Sequence, residues 1–447
     1  MNKIIHLGIP HIGEGIFKNL SDKELIKFRR VSTTWKQIAE NVVMKRWRNR
    51  FFDATFIEEN KDVIKILLTH PGAKNINWNV QNAKQVTTFH YACIVGHLDI
   101  VKIMLEKYQD LEINLNMGAC EKLSGLMFAI RFGHIEVVKL LLNHSRIIEI
   151  GAWDDNGRNA FIWACNQGDV DMMKLILDHS RKIELNAMAK DGFPGFHLAC
   201  YRGHSETVEL ILNASKAKKI DVGAVDAFGR TGLLIACQRG HFSVVESILN
   251  SKNSDLNVNA KDHKFDRTAF ILSCFHGHTE VVKLMVNHAT RKNMDLNLKC
   301  KNGITGFMYA CGLGHLEIVE TLIDNPIVQV DTKDDSGFTA LMIACLRGKV
   351  EVVKLLLDHP RTMNINVYDS KRTIEHLLPN ARQQGVNLYF PVNFNAGKEI
   401  VTLLKKQEEY LRAKKAAKFC DKSGYLISNP SSSACITKRR KIETEER

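Results

Sequence analysis

Histidine and cysteine are the residue types in this chain that could bind a metal ion or act as nucleophiles. The sequence holds 18 histidines and 11 cysteines, and two pairs, His90 with Cys93 and His197 with Cys200, have an HxxC spacing. A structural zinc site needs about four such ligands, and ligand sets with the spacing of zinc fingers do not occur in the sequence. The sequence therefore predicts neither a metal site nor a cofactor.

Most of the cysteines occupy one position of a recurring unit, three residues before a glycine. A residue that recurs at one place in every unit fills the same small pocket each time, and a free cysteine behaves there as a small hydrophobe. We expect these thiols to be reduced and buried, as in a protein of a reducing compartment. They are Cys93, Cys165, Cys200, Cys237, Cys274, Cys311 and Cys345.

Motifs of other catalytic sites are missing from the sequence. There is no GxxxxGK[ST] phosphate loop and no GxSxG nucleophile elbow. Acidic pairs such as Asp154-Asp155 and Asp334-Asp335 fall in predicted surface turns. We therefore predict no catalytic residues and no enzymatic activity of the chain itself.

The composition, with 45% hydrophobic and 25% charged residues, is typical of a soluble folded protein. No apolar run approaches the roughly 18 residues of a membrane span, so we expect no membrane partner and a cytoplasmic location. The formal net charge is +13, and part of it lies in the tail, where KRRK at 438–441 is a candidate nuclear import signal. This basicity favours an acidic partner only slightly, and we do not expect nucleic acid to be the main partner.

A glycine-marked segment recurs through most of the chain. GHIEVVKLLLNHS, which starts at Gly133, has copies at intervals of 34 to 37 residues. Self-similarity at such a period predicts a stack of repeat units, each of which is too small to bury its apolar face alone. The other copies start at Gly96, Gly168, Gly203, Gly240, Gly277, Gly314 and Gly348.

Each unit has the same internal order. The glycine that starts each copy is called the register glycine below. A turn glycine such as Gly229 lies eleven residues before it, and Asp266 replaces this turn glycine once. A threonine or asparagine such as Thr231 suits the N-cap of a short helix, and the register glycine ends that helix. A second helix follows, usually opened by a histidine. The order, with TTFHYAC at 87 and PGFHLAC at 194, resembles the ankyrin repeat, which implies an all-α ankyrin-repeat solenoid of about nine helix-turn-helix units.

The first 50 residues do not follow the repeat. Ile9-Pro10, Ile16-Phe17, a leucine, Val31-Ser32 and Trp35 resemble the F-box, whose usual form runs LP, IL or IF, leucine, DL, a VC pair and tryptophan. The resemblance implies a small helical module that docks on the Skp-type adaptor of a cullin–RING ubiquitin ligase. A helical cap for the repeats is the alternative interpretation. The implied adaptor-binding residues are Ile9, Pro10, Ile16, Phe17, Leu20, Leu25, Val31 and Trp35.

We therefore divide the sequence into four segments. They are an F-box-like module (1–50), ankyrin repeats (51–378), a degenerate capping repeat or helix (379–420) and a disordered basic tail (421–447).

Partner binding is expected on the concave face, which the turn tips and the two residues before each register glycine line. Arginine and aromatic residues are frequent there, and these types dominate interface energetics. Trp163, Phe128 and Tyr309, one helical turn earlier, are expected to be framework. The predicted binding residues are Arg131, Phe132, Tyr201, Arg202, Arg239, Phe275, His276 and Arg347, and the tips add Trp153, Arg158, Phe193, Phe228, Arg230 and Phe338.

The sequence as a whole favours a protein–protein interaction adaptor. The leading interpretation is the substrate receptor of an SCF-type cullin–RING ligase, with an unidentified protein substrate bound on the concave face. An ankyrin-repeat scaffold or inhibitor without a link to ubiquitin is the alternative. A nuclear factor that binds nucleic acid through the basic tail is the third interpretation.

Overall fold

The computed structural model describes residues 61–179, 182–252, 256–362 and 397–423, together with the isolated residues Glu24, Ala39 and Val42. The predicted adaptor-binding residues, the segment 363–396 and the tail after residue 423 lie outside this part of the chain. Apart from three isolated bridges at turn tips, the described residues form helices and turns only. The prediction of an all-α fold is confirmed.

The chain divides into two compact units, residues 1–301 and 302–447. Two 3-10 helices, Pro71–Asn75 and Cys120–Lys122, lie in the first unit. The α-helices described in the first unit are α1 (Lys61–Thr69), α2 (Thr88–Val95), α3 (Leu98–Lys107), α4 (Gly125–Arg131), α5 (Ile135–Asn143), α6 (Ala160–Gln167), α7 (Val170–Asp178), α8 (Gly195–Arg202), α9 (Ser205–Lys218), α10 (Gly232–Arg239), α11 (Phe242–Asn250), α12 (Ala269–His276) and α13 (Thr279–Lys292). Those described in the second unit are α14 (Gly306–Leu313), α15 (Leu316–Ile323), α16 (Ala340–Leu346), α17 (Val350–Asp358) and α18 (Gly397–Ser423).

The helices pack in two rows within each unit. In the first unit the short first helices α2, α4, α6, α8, α10 and α12 pack in sequence on one another, and the second helices from α1 to α13 do the same. In the second unit α14 packs on α16 and α15 on α17, and α18 packs on both α16 and α17. Each pair thus buries its apolar residues against its neighbours, as expected of ankyrin repeats.

The predicted helix caps are present. The side-chain oxygen of each predicted N-cap residue accepts the backbone N–H three residues on, which satisfies one of the unpaired donors at the start of the helix. Pro194, which precedes α8 and was not predicted as a cap, makes no capping bond because its side chain has no oxygen. The predicted capping residues are Asn159, Thr231, Thr268, Thr305 and Thr339. Thr87 and Ser124, which were not predicted, cap α2 and α4 in the same way.

The histidine that follows a register glycine bridges two repeats. His204 does not cap its own helix α9; its Nε2 atom donates to the carbonyl of Asn166 at 3.1 Å, and its ring lies over Gly168. Gly168 has φ +77°, a conformation that favours glycine. His134, His241 and His278 make the same bond to the preceding repeat, at 2.7, 3.0 and 3.1 Å. These histidines, predicted only to open the second helix, therefore also join neighbouring repeats.

The repeat whose second helix is α7 lacks this bridge. Asp169 stands in place of the histidine, and its Oδ1 atom accepts the N–H of Met172 at 2.9 Å as an ordinary helix cap. The carbonyl of Arg131 is bonded instead by Nε2 of Gln167, at 2.7 Å. As a result nothing lies within 4 Å of the position that a Cβ atom on Gly133 would occupy.

The seven recurring cysteines are at most 1% exposed, as predicted. The cysteines of α2, α6 and α8 each pack their sulfur atom against the glycine that opens the next first helix. The pairs are Cys93 with Gly125, Cys165 with Gly195 and Cys200 with Gly232. Burial raises the pKa of the Cys237 thiol to about 12 and moves those of Cys93 and Cys274 in the same direction. Because the thiolate is the reactive form, these residues serve packing rather than chemistry.

Candidate partner-binding face

The predicted binding residues of the first unit lie at the C-terminal ends of the first helices. Arg131, Arg202, Arg239 and His276 are each the last residue of their helix, and all four are exposed. Arg202, Arg239 and His276 lie on consecutive first helices that pack directly on one another, whereas α6 lies between the helices of Arg131 and Arg202. Phe132, which follows α4, is 50% exposed.

Arginine and aromatic side chains contact one another along this face. The guanidinium of Arg239 lies 4.0 Å from the centre of the Tyr201 ring and donates to the Tyr201 hydroxyl, so the contact joins α8 to α10. Arg202 lies 6.0 Å from the same ring and donates from Nε to Oδ1 of Asn166 at 3.2 Å. Such contacts hold a guanidinium by one face and leave its edges available for hydrogen bonds.

The turn tips add a second set of arginines. Arg230 donates from Nε to Oδ2 of Asp226 at 2.9 Å, and its guanidinium lies 5.0 Å from the ring centre of Phe228 and 5.7 Å from that of Phe193. The Asp226 side chain is fully buried and also accepts the backbone N–H groups of Phe228 and Arg230. Its role is to fold the tip and to hold Arg230 in place. Phe193 in turn packs edge-on against Tyr201, so the tips and the helix ends are connected.

The next tip repeats this arrangement with residues that the sequence analysis did not select. Arg267 donates from Nε to Oδ2 of Asp262 at 2.9 Å, and its guanidinium lies 4.5 Å from the ring centre of Phe265. It also lies 5.9 Å from the ring centre of Phe275, a predicted binding residue. The recurring pattern of an aspartate followed by an arginine before the N-cap threonine could have identified Arg267.

The structure corrects the prediction for Asp154, which does not lie in a surface position. This residue is 5% exposed, and its Oδ1 atom accepts the N–H groups of Asn156 and Arg158 while Oδ2 accepts Nε1 of Trp163 at 3.1 Å. Trp163 is 7% exposed, in agreement with a framework role. The guanidinium groups of Arg131 and Arg158 nevertheless lie 5.5 and 5.8 Å from the centre of its ring. The buried Trp163 ring therefore helps to order these two arginines.

Arg347 is the predicted binding residue of the second unit. It follows α16 and is half-buried, and burial lowers its pKa to about 10, so it stays protonated at neutral pH. Tyr309 is 8% exposed, as expected of framework, and Phe338 at the tip is half-buried.

The histidines of the HxxC pairs are hydrogen-bonded inside the repeats. Nε2 of His90 lies 2.8 Å from the carbonyl of Met117, and Nε2 of His197 lies 2.8 Å from that of Arg230. Within the part of the chain that the structure describes, no three His, Cys, Asp or Glu residues are grouped as metal ligands would be. Among the described helices, none combines the length and the apolar character needed to cross a bilayer.

Comparison with known protein families confirms both resemblances. The family model for ankyrin repeats (3 copies) matches residues 111–191, 196–295, 233–332 and 290–369, and the model for the F-box domain matches residues 11–47. The F-box match includes the predicted adaptor-binding residues from Ile16 to Trp35, whereas Ile9 and Pro10 lie before it.

Among solved structures, the chain is similar to the ankyrin repeat domain of Bcl-3, described as a unique member of the IkappaB protein family. The two are 25% identical, with a TM-score of 0.45, and the match covers 53% of this chain and 98% of that one. No curated protein sequence matches the chain.

Proposed function

Because this chain belongs to the ankyrin-repeat family and carries an F-box domain at residues 11–47, we propose that it is the substrate receptor of a cullin–RING ubiquitin ligase. F-box domains bind Skp-type adaptors, and ankyrin repeats bind protein targets. The combination of the two in one chain is the observation that carries the proposal. The ankyrin repeats then hold a protein substrate while the F-box joins the adaptor.

In this proposal the chain contributes binding and geometry. Both matched families are interaction modules, and the chemistry of ubiquitin transfer belongs to other subunits of the ligase. Holding the substrate and the ligase in one assembly makes their encounter intramolecular, which raises the effective concentration of substrate lysines near the transferred ubiquitin. The proposed residues for the adaptor are Ile9, Pro10, Ile16, Phe17, Leu20, Leu25, Val31 and Trp35.

We assign the substrate to the predicted face of the ankyrin repeats. Arginine and aromatic side chains bury large areas and form forked hydrogen bonds, and they are therefore the usual anchors of protein interfaces. The guanidinium contacts with Tyr201 and Trp163 support this assignment, because side chains that are already ordered lose less entropy on binding. The proposed residues are Arg131, Phe132, Tyr201, Arg202, Arg239, Phe275, His276 and Arg347.

The proposed assembly operates in the cytoplasm, where reduced thiols fit the buried cysteines. The basic run KRRK at 438–441 adds a proposed nuclear import signal.

Replacement of Phe17 and Leu20 by alanine is expected to reduce the amount of Skp-type adaptor that co-purifies with the full chain by at least about tenfold, since truncation of an apolar anchor typically costs about 2 kcal/mol. The measurement is a pull-down of purified adaptor with the wild-type chain, the double variant and a chain lacking residues 1–50. Replacement of the nearby Lys18 and Lys23 by alanine is the control, and we expect it to retain the adaptor.

Failure of the wild-type chain to bind the adaptor would contradict the ligase proposal. The chain would then be an ankyrin-repeat scaffold or inhibitor, and residues 1–50 would serve as a helical cap. Circular dichroism of each variant checks that a loss of binding does not reflect unfolding of the repeats.

A further inference from the structure

Three exposed arginines form a row at the ends of first helices in the first unit. This arginine row consists of Arg131, Arg202 and Arg239, the last residues of α4, α8 and α10. Each guanidinium lies over an aromatic ring. That of Arg131 is 5.5 Å from the ring centre of Trp163, and those of Arg202 and Arg239 are 6.0 and 4.0 Å from the ring centre of Tyr201. The row is therefore ordered before a partner arrives.

The positive charge of the arginine row is not neutralised by its surroundings. None of the described ion pairs includes these three arginines. The hydrogen-bond acceptors of Arg202 and Arg239 are neutral, an asparagine amide and a tyrosine hydroxyl. The positions that precede the register glycines of the first unit also hold no Asp or Glu: they are Ile94-Val95, Arg131-Phe132, Asn166-Gln167, Tyr201-Arg202, Gln238-Arg239 and Phe275-His276.

The second helices of the same unit have a different charge pattern. Lys139 pairs with Glu136 at 2.7 Å on α5, and Lys174 pairs with Asp171 at 3.0 Å on α7. Lys139 and Lys174 thus each have a counter-charge one turn away, whereas the arginines of the row do not. The arginine row therefore offers positive charge that no described ion pair of the unit neutralises.

We propose that the arginine row binds an acidic, extended segment of the protein substrate. This inference rests on the proposed function, since it specifies the chemistry of the surface to which the substrate is assigned. A guanidinium that is stacked on an aromatic ring presents a planar edge, and this edge matches a carboxylate through paired hydrogen bonds. Glutamate and aspartate side chains are the carboxylates that a protein substrate offers.

The spacing of the arginines also limits the sequence of the substrate segment. The guanidinium groups of Arg202 and Arg239 lie 6.0 and 4.0 Å from the centre of the same Tyr201 ring. They are therefore at most about 10 Å apart, which agrees with the 8 to 10 Å spacing of packed helices such as α8 and α10. An extended chain in the polyproline II conformation advances about 3.1 Å per residue with three residues per turn, so acidic residues three positions apart lie on the same side of the chain and match this step. Helix α6 separates Arg131 from Arg202, which doubles the step to about six positions.

The test uses the full chain and a fluorescently tagged peptide with glutamate at every third position, (Glu-Gly-Ser)4. We expect it to bind by fluorescence anisotropy at low ionic strength and to bind more tightly than a peptide of the same composition with its glutamates clustered. Replacement of Arg202 and Arg239 by glutamate is expected to weaken binding on the order of tenfold, because two attractions become repulsions. The control replaces Lys139 and Lys174 by glutamate, which makes the same change in net charge elsewhere in the unit.

Equal losses in the two double variants, or tighter binding of the clustered peptide, would overturn the inference by showing a response to bulk charge alone. Tighter binding of a mixed-sequence single-stranded RNA through the same arginines would overturn it in favour of nucleic acid. Adaptor pull-down with the same variants separates the two proposals. If Arg202→Glu with Arg239→Glu retains the adaptor and peptide binding is absent throughout, the receptor proposal stands and the acidic-segment inference fails.

Discussion

Replacement of Gly168 by alanine is expected to lower the free energy of unfolding by about 3 kcal/mol, whereas the same replacement at Gly133 is expected to cost about 1 kcal/mol. Both glycines follow a first helix and have positive φ, +77° and +75°. Alanine at either position therefore adopts an unfavourable left-handed conformation. The two sites differ in what lies above the glycine.

The additional cost at Gly168 comes from the histidine of the next repeat. A Cβ atom on Gly168 would lie within 3.0 Å of three ring atoms of His204, and the ring is held there by its hydrogen bond to the Asn166 carbonyl. Either the ring gives up this bond or the two repeats move apart. Repeat arrays depend on the interfaces between neighbours, so a strained interface weakens the stack on both sides of it.

Urea denaturation followed by circular dichroism measures these changes in free energy, and His204→Ala provides the internal control. In the His204→Ala background, the cost of Gly168→Ala should fall to about 1 kcal/mol, the cost of the backbone conformation alone. Equal costs at Gly168 and Gly133 in the wild-type background would show that the ring adapts freely, and the explanation would be wrong.

Features that repeat in the sequence were the ones that could be predicted from it. The position of Thr231 before an apolar stretch predicts its capping bond, and the recurrence of Gly240 predicts its positive φ, because both depend on local backbone chemistry. The burial of Cys237 follows from its recurrence at one place in every unit. The bridge from His204 to Asn166 could not be predicted, since it depends on how closely two helix pairs approach.

The turn tips were predicted less well because their acidic side chains form hydrogen bonds inside the tip instead of facing solvent. Asp154 looks like a surface turn residue, but its carboxylate accepts backbone N–H groups of its own tip and the Trp163 indole. Arg267 was missed because its tip is one residue longer: it stands five residues after Asp262, whereas Arg230 stands four after Asp226. A search for an aspartate followed by an arginine before the N-cap threonine that allowed for this difference in length would have identified Arg267.

A second large effect is expected from pH, since His90 should destabilise the fold by about 3 kcal/mol as the pH falls from about 6.5 to about 4. Burial lowers the pKa of His90 from 6.5 to about 4 in the folded state, against a smaller raising effect of its hydrogen bond to Met117. Between these values the unfolded chain binds a proton that the folded chain does not, so stability falls with falling pH. Above this range both states are neutral, and below it both are protonated.

The hydrogen bonds of His90 explain why the folded state keeps the ring neutral. Nε2 faces the Met117 carbonyl at 2.8 Å and must donate, while Nδ1 accepts the backbone N–H of Thr87 at 3.1 Å. A proton on Nδ1 would remove that acceptor and leave a charge in a site that is 1% exposed. Burial also lowers the pKa of His197, at the equivalent position of α8, so it contributes in the same direction.

His90→Leu isolates this contribution, because Leu234 and other apolar residues occupy the same position in repeats that lack the histidine. At neutral pH the variant should be less stable than the wild type by about 1 kcal/mol, since it loses hydrogen bonds. As the pH approaches 4 the order should reverse, because leucine binds no proton in the unfolded state. Denaturation midpoints measured from pH 7 to pH 4 test this crossover, with the exposed His263→Gln as a control. Parallel curves for the wild type and His90→Leu would mean that His90 is protonated in the fold as easily as in the unfolded chain.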